Sequence, residues 1–219
     1  MELKNVNRQL LFPTAVWMIE YNNYQGVNQG ILDEMSRVDW EAEHQRSGRA
    51  GEARDRYLED IFITTELVPS AAAIVSAFVH GCEQIAEESE WDLVNNEIRV
   101  SDLWAHVTPP GKNTQRHHHL PDHLSCSYYV RTPEDCGNLR LLDDRKYRIG
   151  EPDSATPNAL TGHWVDVPAR EGLMVIFPSW LSHQVGENRS DEPRVSLSMN
   201  AALLPKGSPY GVRPQGVNP

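Results

Sequence analysis

Apolar positions in the first part of the chain recur at helical spacing. Over residues 27–46, Val27, Ile31, Leu32, Met35 and Val38 fall close to one face of a helix, which predicts a helix there. Ser70, directly after Pro69, can cap a second run in which Ala73, Ile74, Ala77, Phe78, Cys82 and Ile85 recur at three and four residues, and this predicts a helix over 70–89. The charged, glycine-containing stretch 47–60 between them reads as a loop. Past about residue 95 the texture changes to short runs rich in Val, Ile, Leu, Tyr and Trp, broken by Pro, Gly, Asn and Asp. These predict strands at 97–107, 124–131, 138–142, 164–167, 173–177 and 195–203. Many short strands with turn residues between them favour a sandwich or jelly roll over a parallel sheet, a mainly β fold with flanking helices buttressing one outer face. The expected organisation is one domain, 1–219, with a helical buttress and N-terminal strand over 1–95, a jelly-roll core over 96–204, and an irregular Pro- and Gly-rich tail over 205–219.

Composition narrows the partners. The chain of 219 residues is long enough for a single core without covalent staples. Its 20 Lys+Arg against 31 Asp+Glu give a formal net charge of −11, which argues against nucleic acid and anionic membrane surfaces as partners, since both need a positive patch. Cys82, Cys126 and Cys136 are odd in number and lack Cys-x-x-Cys spacing, so neither a disulfide framework nor a cysteine zinc site is indicated, and a reducing cytoplasm fits best. No run of apolar residues reaches membrane-spanning length, and residues 1–11 do not read as an export signal.

The chemistry concentrates in two places. Four of the nine histidines lie in Arg116-His117-His118-His119-Leu120-Pro121-Asp122-His123, immediately before the apolar run that opens at Leu124. In an extended segment residues two apart share a face, so His117 and His119 can present two imidazoles side by side, and neutral imidazole is the commonest metal ligand. A histidine-rich solvated loop is the plainer alternative. About sixty residues further on, the run from Gly172 to Phe177 turns at Pro178 and places His183 just past it, and Arg194 follows in Arg194-Val195-Ser196-Leu197-Ser198-Met199-Asn200. There Arg194, Ser196, Ser198 and Asn200 share one face, and Val195, Leu197 and Met199 the other. A polar inward face is costly unless it meets a polar partner; a solvent-facing side is the simpler explanation for that stretch taken alone.

Taken in order, His-x-His before a Leu-Ser-x-x-Tyr-Tyr strand, Gly137-Asn138-Leu139, then Phe177-Pro178-Ser179-Trp180-Leu181-x-His183, then Arg194-x-Ser196, resemble the iron(II)- and 2-oxoglutarate-dependent oxygenases, and more distantly their prolyl hydroxylases. The resemblance covers roughly residues 100–202. It implies a double-stranded β-helix, a cupin-like jelly roll with iron(II) at its open mouth and 2-oxoglutarate and O2 as cosubstrates. It also implies a dioxygenase, expected here to be a hydroxylase, that releases succinate and CO2 while acting on a small-molecule, amino-acid or peptidyl substrate. By the same resemblance His117 and His183 are metal ligands, Arg194 pairs with the distal carboxylate of 2-oxoglutarate, Ser196 is its Arg-x-Ser partner, and Tyr129 reaches that carboxylate. A planar guanidinium grips a carboxylate through two parallel hydrogen bonds, and a phenol adds a further donor.

One departure bears on the metal. The usual triad is two histidines and a carboxylate, yet position 119 is histidine. Either His117, His119 and His183 form an all-histidine set, which needs no special loop, or Asp122 supplies the carboxylate. The pattern resembles most closely one subfamily of these oxygenases distinct from the prolyl hydroxylases, and Cys126 and Ser127 stand where that subfamily commonly has Gly and Val, which makes the expected cavity more polar. Trp104 and His106 can line that pocket, although inward positions on a strand are more often core; His44, His80 and His163 read as structural or solvated. The mixed run Asp143-Asp144-Arg145-Lys146 reads as a solvated turn, and one of the alternating pairs Asn138/Arg140 or Leu139/Leu141 faces substrate. Two rival functions stand beside the oxygenase: a three-histidine cupin-like dioxygenase or isomerase with no use for 2-oxoglutarate, and a non-catalytic jelly-roll binding module. A homodimer is left open.

Overall fold

A computed structural model describes residues 10, 12–40, 42–43, 60–145, 156, 158 and 161–208. Among the described residues ten strands form two antiparallel sheets: β1 (Trp17–Glu20), β2 (Asp60–Phe62), β3 (Asn96–Thr108), β4 (Thr114–His117), β5 (Leu124–Arg131), β6 (Leu139–Leu142), β7 (Trp164–Val167), β8 (Leu173–Pro178), β9 (His183–Val185) and β10 (Arg194–Pro205). The larger sheet has the order β1-β8-β5-β10-β3-β2 and the smaller β4-β9-β6-β7. This is the jelly roll with flanking helices anticipated from the strand pattern. Among the described residues the longer helices are α1 (Tyr24–Met35) and α2 (Ala71–Glu88), and Trp40, Ala42 and Glu43 are helical as well. Among the described residues no helix is long and apolar enough to cross a membrane.

Period-2 alternation in the long strands decides what faces what. On β10, Val195, Leu197, Met199 and Ala201 point outward into a core shared with Ile31 of α1 and Ile74, Phe78, Cys82 and Ile85 of α2. On β5, Leu124, Cys126, Tyr128 and Val130 join that core, as do Met174 and Ile176 of β8. A second, smaller core lies between the sheets, where Tyr129, Leu139, Leu141, Val167, Leu173, Val175, Phe177 and Leu181 close one end of the roll. The other stretch of the inner face is left to polar side chains, and there the cavity opens.

The local predictions differ from the structure in instructive ways. Helix α1 occupies 24–35 and not 27–46: the Ser36 hydroxyl donates to the Asp33 carbonyl at 2.7 Å, and Trp40 Nε1 folds back to donate to the Met35 carbonyl at 3.0 Å, ending the helix. Residues 44–46 lie outside the described residues, as do 47–59 of the predicted loop; Asp60 opens β2. Ser70 stands at the start of α2 without capping it. Its N–H and hydroxyl both go to the Glu34 carboxylate at 2.8 Å, so the residue ties α2 to α1 instead. Strands β2, β4 and β9 were not assigned from the sequence, and the N-terminal strand expected within 1–95 was given no bounds; runs of three or four residues carry little alternation to read.

Gly137 has φ +85°, and a Cβ there would lie 2.2 Å from the Gly186 carbonyl, so only glycine lets the entry to β6 approach the exit of β9 this closely. Asn28 fastens α1 to the sheet: its amide donates to the Val130 carbonyl at 2.8 Å and its Oδ1 accepts from the Tyr128 hydroxyl at 2.7 Å, all of it buried. Asn28→Ala leaves a phenol and a carbonyl without partners and is expected to lower unfolding stability by about 2–3 kcal/mol in urea titrations; a loss below about 0.5 kcal/mol would show that the tie is dispensable.

Candidate functional site

Strand β4 pairs with β9 so that His117 stands opposite His183, and directly opposed residues project their side chains from the same face. His119 follows two residues beyond, its N–H donating to the Ser179 carbonyl at 2.9 Å. The three rings meet with centroids 4.2 Å (His117–His183), 4.8 Å (His117–His119) and 5.0 Å (His119–His183) apart, and their ligating atoms all lie within 4.8 Å of one another. Two of the tautomers follow from neighbours. His117 Nδ1 faces the Gln115 carbonyl at 2.7 Å and His183 Nδ1 faces the Leu181 carbonyl at 2.9 Å; a carbonyl only accepts, so each Nδ1 donates and each Nε2 keeps its lone pair for a ligand. Burial, then the adjacent His117, pushes the His183 imidazole down to about 3, which keeps it neutral near pH 7.

Asp122 is elsewhere engaged. Its Oδ1 accepts from the Ser101 hydroxyl at 2.8 Å and its N–H donates to the His119 carbonyl at 3.1 Å. Among the described residues the three histidines form the one cluster of His, Cys, Asp or Glu suited to a metal, and Asp122 is outside it.

A second set lies on the inner faces of β5 and β10. Arg194 is only 1% exposed, and among the described residues its Nε and Nη1 have no hydrogen-bond partner; the Tyr129 hydroxyl, the Ser196 hydroxyl and Thr108 Oγ1 are buried and find none there either. Ser196 stands opposite Tyr129, and the guanidinium carbon lies 5.9 Å from the Tyr129 ring centroid. Burial pushes the Tyr129 phenol up to about 12, against the pull of the Arg194 charge; Ser127 eases that rise without reaching hydrogen-bond geometry. Burial also lowers Arg194 from its ordinary value. Leaving this many donors dry and unpaired is expensive, and a carboxylate is the group that satisfies a guanidinium and two hydroxyls together.

One cavity of about 320 Å³ joins both sets, with His117, His119, His183, Arg194, Ser196, Ser198 and Asn200 in its wall. The polar face of β10 therefore looks inward, not to solvent. Ser127 and Leu139 line the cavity, whereas Arg140 points away and pairs with Asp166 at 2.7 Å. Trp104 and His106 line it as well, a correction to the core assignment: on β3 they alternate with Leu103, Ala105 and Val107, which pack against the helices. Sequence reasoning missed Asp102, Thr114 and Phe177, although the alternation on β3 already put Asp102 in line with Trp104 and His106. The 143–146 run is not merely a solvated turn, because Asp144 pairs with Arg116 beside the histidine strand; Lys146 and His44 lie outside the described residues. His80 and His163 are exposed and away from the cavity.

Residues 102–200 match the protein family described as "Putative 2OG-Fe(II) oxygenase". No curated protein matches the chain. Among solved structures, a Pseudomonas putida prolyl-4-hydroxylase is similar at 17% identity and TM-score 0.55, over 89% of this chain and 94% of that one. The non-heme alpha-ketoglutarate-dependent epimerase SnoN from nogalamycin biosynthesis is similar at 17% identity and TM-score 0.54, over 94% and 86%. A non-heme monooxygenase, ThoJ, in a nickel complex, is similar at 15% identity and TM-score 0.54, over 89% and 77%. At such identities the likeness to these three is one of fold.

The ligand question has a direct test with Mn(II) as the probe. His119→Ala and His183→Ala are each expected to weaken Mn(II) binding by more than about a hundredfold, beyond what the loss of a supporting contact does, while Asp122→Ala retains it. Metal analysis showing the opposite ordering would make Asp122 a ligand and remove His119.

Proposed function

We propose that this chain, whose residues 102–200 match the family described as "Putative 2OG-Fe(II) oxygenase", is a non-haem iron, 2-oxoglutarate-dependent dioxygenase in which His117, His119 and His183 hold the metal. Arg194, with Ser196 and Tyr129, takes the distal carboxylate of 2-oxoglutarate. The observation that carries the reading is the buried, unpartnered guanidinium in the same cavity as the histidine cluster. The residues fit the absent groups: three imidazoles, two with Nε2 left free by their carbonyl contacts, and a dry set of donors that lacks an anion.

Iron(II) with bound 2-oxoglutarate supplies the activation of O2, coupled to decarboxylation of the 2-oxo acid to succinate and CO2. The chain contributes position and exclusion. The Gln115 and Leu181 carbonyls hold the imidazole planes, so the ligand atoms converge before metal arrives and little ordering remains for binding to impose. Arg194 fixes one end of the dicarboxylate, which sets the direction of the other end and discriminates against monocarboxylates. Phe177, packed 4.8 Å from the His183 ring, and Leu139 keep the inner wall apolar around the ligands and restrict water. Hydroxylation of a small-molecule, amino-acid or peptidyl substrate is the outcome we assign. A cupin-like enzyme without 2-oxoglutarate has the three histidines but no use for a buried arginine, so the buried Arg194 supports the 2-oxoglutarate reading.

Calorimetry on the metal-loaded, oxygen-free protein tests this. Arg194→Ala is expected to weaken 2-oxoglutarate binding by about 2–5 kcal/mol, roughly thirtyfold or more, with metal content unchanged. Arg194→Lys should recover only part of the loss, since an ammonium lacks the fork, and Tyr129→Phe should show a smaller loss. Binding indifferent to Arg194 would favour the three-histidine enzyme without 2-oxoglutarate.

A further inference from the structure

The cavity has a direction. Strands β10 and β3 run antiparallel along its floor, with Arg194 opposite Thr108, Ser196 opposite His106, Ser198 opposite Trp104 and Asn200 opposite Asp102. From 194 to 200 the strand covers about 20 Å, so Arg194 and Asp102 mark opposite ends. The histidine strand follows the same axis: Thr114 Oγ1 meets His106 Nε2 at 2.8 Å, and the His119 ring lies 5.5 Å from Trp104. The histidine cluster therefore sits over the middle, and Asp102 lies beyond it on the side away from Arg194, about 7 Å further along the strand than Trp104.

Asp102 is half-buried, and among the described residues no cation or hydrogen-bond donor meets its carboxylate. The neighbouring wall is aromatic, with the Trp104 and Phe62 rings tilted at 45° and 6.4 Å apart. Apart from its histidines, the one basic side chain lining the cavity among the described residues is Arg194, at the far end. A carboxylate beside indole and phenyl faces attracts a cation twice over, by charge and by the ring quadrupoles, and repels an anion.

We propose that this end of the cavity is the substrate subsite and that it takes a positively charged amine, with Asp102 receiving the ammonium and Trp104 and Phe62 covering its alkyl stem. The orientation rests on the oxygenase reading; the cation preference does not, since it comes from Asp102 and the rings alone.

Ligand-observed NMR with n-butylammonium and with butyrate, a probe of matching size and opposite charge, tests it on the full chain, with and without Mn(II) and 2-oxoglutarate. The wild type is expected to bind n-butylammonium at least about tenfold more tightly than butyrate, and the isosteric Asp102→Asn to lose most of that preference. Asp102→Lys should reverse it in favour of butyrate, an outcome that a merely weakened fold cannot produce. A capped Gly-Lys-Gly peptide in parallel separates two sources of the amine: tighter binding than n-butylammonium assigns it to a peptide side chain, and weaker binding to a small free amine. Equal binding of the two charged probes, or indifference to Asp102→Asn, overturns the proposal. If 2-oxoglutarate still binds in that sample, only the subsite fails; if n-butylammonium binds through Asp102 while 2-oxoglutarate does not bind, the oxygenase reading fails and the subsite stands.

Discussion

Strand β10 has to satisfy two environments at once, and the rest of the molecule is arranged around that demand. It pairs along its whole length with β3 and over most of it with β5, so it cannot rotate to hide either face. Its outward residues need an apolar cover, and α1 and α2 provide it. Its inward residues are Arg194, Ser196, Ser198 and Asn200, which no apolar layer can satisfy. The second sheet answers by facing them across a cavity instead of packing down, and the small inter-sheet core around Leu173, Val175 and Phe177 holds the two sheets apart at one end.

Polar satisfaction is uneven along that inner face. Toward Asn200 it is met within the protein: the Ser125 hydroxyl donates to Asn200 Oδ1 at 2.8 Å and lies 2.8 Å from the Ser179 hydroxyl. Toward Arg194 it is not, and four side chains there keep unpartnered polar atoms. A structure that closes its polar network in one place and leaves it open a few residues away has localised its deficit, and a localised set of donors without an acceptor, beside imidazole nitrogens, is a chemical description of what is to be bound. In the proposed reading the charge balance follows the same logic: three imidazole ligands carry no negative charge, so a dicarboxylate would be left to offset the ion.

How far the chain could be read depended on length of signal. The helix at 71–88 and the long strands were legible because many periods of alternation average out exceptions, and β5 fell on the residues anticipated; the four-residue β7 did so too, read from its Val- and Trp-rich composition. The helix at 24–35 was misplaced because its end is set by Ser36 and Trp40 folding back, which periodicity does not contain. Strands as short as β9 carry no usable period, yet β9 is what sets His183 against His117. The histidine pair and the two faces of β10 were visible as local spacing; the position of Asp122 outside the histidine cluster was not, because its carboxylate accepts from Ser101, a residue twenty-one positions away in sequence.

By itself the sequence determined the alternation of β10, the imidazoles at 117 and 119, the placement of an arginine on the polar face and the mainly β character of the chain, since each depends only on neighbours a few residues apart. Tertiary structure alone decided that this polar face looks inward, that Trp104 and His106 are wall and not core, and that Asp102 stands at the opposite end of the cavity from Arg194. Which side of a strand meets water is settled by what packs on the other side, and those partners, α1, α2 and the four-stranded sheet, come from far along the chain.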